Sequence, residues 1–205
     1  MSDEHEVSAT LPDSPMHTAG IDHVTIVGSN AADTVEFYRD VLGMPLVMDQ
    51  INLDAPEVDH LFFDAGDGRL LTFFVEDDRP TDANPVPVDV GSVHHLAFAV
   101  EPEEFDDAKA ALEGAGHHYN EFDRGAFHSL YTRDPNGLVL EFATDKYDVP
   151  DDRRGEVLAR AHRERVEAGA DYVRDEDLRA ALEALGLPVE AVDVGEAPTG
   201  AGVDE

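Results

Sequence analysis

The 205-residue chain has no cysteine and no tryptophan, and its only lysines are Lys109 and Lys146. Without cysteine there can be no disulfide, no thiolate metal ligand and no cysteine nucleophile, so any bound metal must be held by nitrogen and oxygen donors. Long hydrophobic runs are missing too. Leu70–Val75 and Leu138–Ala143 have strand length, far short of the ~20 residues a membrane-spanning helix needs. The start of the chain lacks the basic region of a secretory signal. Positive charge is scarce: 14 basic residues stand against 46 acidic ones, for a formal charge of −32. Such a chain repels nucleic acid and anionic membranes, so neither is expected as a partner. The acids are spread over the whole length instead of forming a tail. Self-repulsion on that scale is tolerable where salt cuts the screening length to about 3 Å, which points to a cytoplasmic protein of a high-salt interior.

What is present is a repeat. His23, in Gly-Ile-Asp-His-Val-Thr-Ile-Val, and His95, in Val-His-His-Leu-Ala-Phe-Ala-Val, each open a short apolar run. A helical pattern follows each, Asp33–Leu42 and Glu103–Leu112, with Gly43 and Gly114 expected to end the helices. Residues 62–73 then mirror residues 131–142, each with a hairpin signal, Asp67-Gly68 or Asn136-Gly137, before its last strand. Four residues beyond the turn glycine stand Thr72 in the first copy and Glu141 in the second, so the acid is present at only one of two equivalent positions.

Strand alternation puts His23 on one face with Ile21, Thr25 and Val27; His95 with Val93 and Ala97; Glu141 with Val139 and Ala143. A single histidine in a strand is more often a hydrogen-bonded core or surface residue than a ligand. An ionised Glu141 between Leu140 and Phe142, however, needs a cation or donors if buried. Two imidazoles and one carboxylate at matching points of a repeat form an open metal site of the kind that Fe(II) oxygenases use, and the three are expected to converge.

Gly20–Val27, Phe37–Met44 and Gly137–Phe142 resemble the paired βαβββ modules of the vicinal oxygen chelate superfamily, which includes glyoxalase I, bleomycin-resistance proteins, methylmalonyl-CoA epimerase and extradiol dioxygenases. Val93–Phe98, Asp123-Arg124, Phe127–Pro135 and Leu140–Asp145, with Asn52–Pro56, His60–Phe63 and Leu71–Phe74, are most similar to the hydroquinone-type ring-cleaving dioxygenases. The resemblance implies an α+β fold: two tandem βαβββ modules form a half-open, cup-shaped mixed sheet, with C-terminal helices added. It also implies metal ligation by His23, His95 and Glu141, with Thr25, His94, Arg124 and Tyr131 lining the metal. Asp22 stands where that group usually has another histidine. Members of the group carry four such modules, of which this chain matches the first and last.

The expected organisation is a loose tail (1–19), a first module (20–78), a Pro-rich linker (79–90), a second module (91–146), a helical extension (147–187) and a disordered acidic tail (188–205). In the extension, Val157, Leu158, Ala161 and Val166, and then Leu178, Ala181, Leu182 and Leu185, have helical spacing broken around Gly169. Those apolar stripes could cover a sheet, close the cup as a lid or hold a second subunit.

The reading that follows is an extradiol-type dioxygenase acting on a hydroquinone or catechol-like aromatic with O2. Fe(II) is the expected metal, with Mn(II), Zn(II), Ni(II) or Co(II) as substitutes, and a homodimer is the expected assembly. Tyr131 would donate a hydrogen bond at the site, His94 or His128 would move protons, and Arg124 would stabilise developing negative charge. Two alternatives stand beside it: a glyoxalase- or epimerase-like lyase or isomerase, which usually draws a fourth ligand from the first module where Thr72 stands, and a small-molecule-binding resistance-type protein.

Overall fold

The computed structural model describes residues 6–82, 84–195 and 197. The parts of the expected tails at 1–5, 196 and 198–205 lie outside the described residues. The first repeat gives β1 (His23–Val27), α1 (Ala31–Val35) continuing into a π-helical stretch (Glu36–Val41), β2 (Leu46–Asn52), β3 (Ala55–Asp64) and β4 (Leu70–Val75). The second gives β5 (His95–Ala99), a 3₁₀ turn (Pro102–Glu104) leading into α2 (Phe105–Gly114), β6 (Asn120–Asp123), β7 (Phe127–Arg133) and β8 (Val139–Asp145). Each repeat forms an open four-stranded mixed sheet, in the order β1-β4-β3-β2 and β5-β8-β7-β6. β1 runs parallel to β4 and β5 parallel to β8; the other neighbours are antiparallel.

Alternation decides which face of each sheet is covered. In the first sheet Val24, Ile26, Leu61, Phe63, Leu71, Phe73 and Val75 pack inward under α1. In the second, Leu96, Phe98, Leu130, Leu140 and Phe142 do so with Phe105 and Leu112 of α2. The two sets form one core. Asn30 caps α1 by accepting from the Asp33 N–H at 2.9 Å. The π stretch, marked by Leu42 N–H donating to the Phe37 carbonyl at 3.0 Å, turns two consecutive aromatic residues, Phe37 and Tyr38, into the core. From there α1 reaches the second module. The Tyr38 hydroxyl donates to Asp134 at 2.9 Å, the Ser29 N–H donates to Asn136 at 2.7 Å, and Phe37 meets the His117 ring edge-on with centroids 4.8 Å apart.

Gly43 ends the first helix with φ 73° as expected, but Gly114 is the last residue of α2 and the left-handed turn falls on Gly116, φ 79°. The linker lies against the β7–β8 turn: at Gly137 a Cβ would stand 1.8 Å from the Asn84 carbonyl oxygen.

The extension forms α3 (Arg154–Ala168) and α4 (Asp175–Leu185), separated by left-handed Gly169. Their stripes bury against each other and against Tyr147 and Ala126 at the edge of the second module, in a second apolar cluster. Lys146 bridges Asp123 and Asp175, at 2.9 and 2.5 Å, tying β6 to α4. At Gly125, between β6 and β7, a Cβ would stand 2.1 Å from the Val173 carbonyl oxygen of the α3–α4 connection. Ala191 in the expected acidic tail pairs with Tyr147 in an antiparallel bridge. Among the described residues no helix is long and apolar enough to cross a membrane.

Candidate metal centre

The face of the second sheet turned away from the core carries the polar residues. Glu141, in the middle of β8, is 7% exposed between Leu140 and Phe142, which point the other way into the core. A carboxylate this buried needs donors, and two hydroxyls supply them, with an imidazole beside it. Its Oε1 accepts from the Ser129 hydroxyl at 2.7 Å and the Tyr131 hydroxyl at 2.8 Å, both from β7, while Oε2 lies 2.9 Å from His95 Nε2. Burial, reinforced by the bond to Glu141, pushes the Tyr131 phenol up to about 12, so at neutral pH it keeps its proton and donates. The Arg124 guanidinium sits 5.4 Å from the centre of the Tyr131 ring, bringing positive charge to this face.

In the first sheet the register matches. His23 pairs with Leu70 and Thr25 with Thr72, as His95 pairs with Val139 and Ala97 with Glu141. Thr72 thus occupies the place of Glu141. Its hydroxyl donates to Thr25 Oγ1 at 2.8 Å and lies 3.0 Å from His60 Nε2. The His60 ring is wedged between Phe62 and Phe74, and burial, helped by the nearby His23 imidazole, lowers its pKa below the usual 6.5.

Both module-opening histidines are held at Nδ1 by the residue before them. His23 Nδ1 is 2.7 Å from Asp22 Oδ1, and His95 Nδ1 is 2.8 Å from His94 Nδ1. Donation backwards from Nδ1–H would leave the Nε2 lone pair to face outward, the tautomer a metal-binding imidazole requires. Asp22, which departs from the resembled pattern, performs for His23 what His94 performs for His95.

His95 and Glu141 also fit a cation in spacing. Two ligands at right angles, each about 2.1 Å from a metal, stand about 3 Å apart, and their donor atoms are 2.9 Å apart. The structure brings together His95, Glu141, Tyr131, His94 and Arg124. His23 and Thr25 lie on the other sheet, and among the described residues no three histidine, aspartate or glutamate side chains are grouped to hold a metal. His128 is not at this face either: it is 1% exposed on the core side of β7, with Nε2 2.7 Å from Glu121 and its ring against Phe105. Ser129 is a site-facing residue that sequence reasoning passed over, and His60 is one that it quoted in the resemblance without assigning it a role. Each alternates in phase with a residue it had marked or quoted, Tyr131 in one case and Phe62 in the other.

A family model described as "Glyoxalase/Bleomycin resistance protein/Dioxygenase superfamily" matches residues 20–142. Among curated proteins, the chain is 31% identical over 135 residues to "Putative ring-cleaving dioxygenase MhqO" of Bacillus subtilis, covering 60% of this chain and 39% of that protein. It is 40% identical over 62 residues to MhqA of the same organism, covering 20% of that protein. The chain thus spans about two fifths or less of the curated relatives it matches. A crystal structure of a "putative dioxygenase" from Bacillus subtilis superposes with TM-score 0.52 at 26% identity, over 62% of this chain and 41% of that one. A glyoxalase/bleomycin-resistance/dioxygenase domain from a Frankia species reaches TM-score 0.55 at 16% identity over 99% of its length, a likeness of fold alone. The repeated βαβββ modules, their matched register and the family match over both of them lead to one conclusion: the chain belongs to the glyoxalase/bleomycin resistance protein/dioxygenase superfamily.

Proposed function

We propose that the protein is a metal-dependent, extradiol-type ring-cleaving dioxygenase acting on a hydroquinone or catechol-like aromatic, with His23, His95 and Glu141 as metal ligands. The observation that carries this reading is the buried Glu141 carboxylate at ligand spacing from His95, with a neutral phenol and a guanidinium beside it. Fe(II) is the preferred metal; when bound it would couple an aromatic diolate to O2. Mn(II), Zn(II), Ni(II) and Co(II) fit the same nitrogen and oxygen donors.

The chain's own residues have separable tasks. Ser129 and Tyr131 fix one oxygen of Glu141 and leave the other for the cation. His94 sets the His95 tautomer and, being exposed, exchanges protons with substrate and solvent. Arg124 holds a phenolate or carboxylate oxygen of the aromatic. Thr25 with Thr72 forms the polar floor of the first sheet. The proton-transfer role considered for His128 passes to His94, because His128 faces the core. The lyase alternative draws less support, since Thr72 offers a hydroxyl already committed to Thr25 where a fourth ligand is wanted. The names of the Bacillus subtilis relatives point the same way. The cytoplasm of a salt-rich cell is the setting of this reading, on the strength of the acid excess, and a homodimer is its assembly.

The test is anaerobic reconstitution with Fe(II) in concentrated KCl, followed by oxygen uptake with hydroquinones and catechols. Uptake matched by ring opening is expected, and Glu141→Ala should lose bound metal and uptake together while its circular dichroism stays native. Stoichiometric metal in Glu141→Ala, or none in the unaltered protein, would overturn the assignment.

A further inference from the structure

The first sheet repeats the second position for position. Where the second has Glu141, Tyr131 and Ser129, the first has Thr72, Phe62 and His60. The sense of the hydrogen bonds is reversed. In the second sheet two hydroxyls donate to a carboxylate, so the network ends on an acceptor. In the first, the Thr72 hydroxyl is fully buried and donates to Thr25 Oγ1 at 2.8 Å. A hydroxyl has one proton, so toward His60 Nε2, 3.0 Å away, Thr72 can only accept. His60 must then carry its proton on Nε2. Its ring is gripped by Phe62 and Phe74, with centroids 4.0 and 4.4 Å away, and burial favours its neutral form. Thr25 is exposed and shares the face of His23, one alternation further along β1. Having accepted from Thr72, its hydroxyl has its own proton left to give outward.

We propose that His60 and Thr72 are positioning residues: through a one-way chain, from His60 Nε2–H to Thr72 to Thr25, they present the Thr25 hydroxyl as a fixed donor to an ionised phenol oxygen of the aromatic substrate. The inference rests on the metal-dependent aromatic reading above and adds what the first sheet recognises. Each hydrogen bond in such a chain polarises the next, by about 10–30%, so Thr25 donates better than a lone threonine would. A neutral imidazole suits the start of the chain. A carboxylate at Thr72, like the one at Glu141, would accept instead and turn the Thr25 proton inward. An outward donor favours an ionised oxygen over a neutral hydroxyl, because charge makes a hydrogen bond roughly twice as strong. The rings of Phe62 and Phe74 hold the imidazole in place, so the donor is set before the substrate arrives.

The test uses the full chain in concentrated KCl without oxygen, and 4-nitrocatechol as the probe, because its colour reports the ionisation of its phenol groups. The probe is titrated with and without Mn(II), and bound Mn(II) is counted by electron paramagnetic resonance. Thr72→Val keeps the shape and removes the relay, His60→Phe keeps a ring between Phe62 and Phe74 and removes the donor, and Thr72→Ser keeps the hydroxyl. The first two are expected to bind the probe about tenfold more weakly and to shift its bound spectrum toward the neutral form, while Thr72→Ser stays within about twofold of the unaltered chain. All three should bind as much Mn(II) as the unaltered chain. In the unaltered chain, nuclear magnetic resonance of isotope-labelled histidine should show His60 protonated on Nε2. The relay is overturned by a His60 proton on Nδ1, by probe binding in Thr72→Val as tight as in the unaltered chain, or by no probe binding to the unaltered chain; bound Mn(II) would then leave the metal reading standing. If the unaltered chain binds no divalent metal, the metal reading falls, and the relay stands only if the metal-free chain binds the probe and ranks the variants in the same order.

Discussion

At the scale of single residues, period-two alternation carried most of the information. It set His95 and Glu141 on one face and left the acid needing donors, and the structure supplies them from the hydroxyls of Ser129 and Tyr131. The same alternation separates His128 from Tyr131, because three residues is an odd step along a strand, so its place in the core was legible and was outweighed by the chemistry of its ring. The contacts of the Thr72–Thr25 pair and His60 were not legible, since a threonine or a histidine in a strand has no pattern of its own. Tyr131→Phe should still bind metal yet turn over at least tenfold more slowly, with a stability loss of about 1 kcal/mol for the missing hydrogen bond. An unchanged rate would reduce Tyr131 to packing. His60 carries a pH effect of definite sign. Its pKa is lowered by burial in the folded protein, so the unfolded chain takes up the proton first, and stability present above pH 6.5 is lost as pH falls through the lower folded value. His117, lowered by burial as well, acts in the same sense. Denaturation curves between pH 7.5 and 5 should show the decline, and His60→Gln should flatten part of it.

At the scale of elements, the repeat revealed both helices and the last hairpins, because helix caps and Asp-Gly or Asn-Gly turns have local chemical causes. The π stretch was hidden. Phe37 and Tyr38 are consecutive and both buried, and the Tyr38 hydroxyl meets a partner 96 residues away, which no local pattern announces. That partner, Asp134, is 1% exposed and also accepts from the N–H groups of Asn136 and Leu138, at 2.9 and 2.8 Å. Asp134→Ala would leave these donors unpaired at the joint between the modules. A loss of about 3 kcal/mol is expected in chemical denaturation at fixed salt, with metal affinity falling in parallel. A loss below 1 kcal/mol would mean that the joint is held by apolar packing alone.

For the molecule as a whole, composition foretold the acid excess of the surface but not where the extension would lie. An amphipathic stripe states that a face must be buried and says nothing about against what; here the address is the Ala126 edge of the second module, secured by Lys146. Because 46 acids face 14 basic residues, the melting temperature should climb steeply as KCl is raised from low to molar concentration. A flat response would remove the case for a salt-rich setting. The acid excess has a further consequence for handling. Chains unfolded by dilution into low salt still repel one another, and the apolar strands they expose are flanked by carboxylates that hinder clumping. Desalting should therefore give clear solutions with low light scattering, and returning the KCl should restore the native protein without a chaperone.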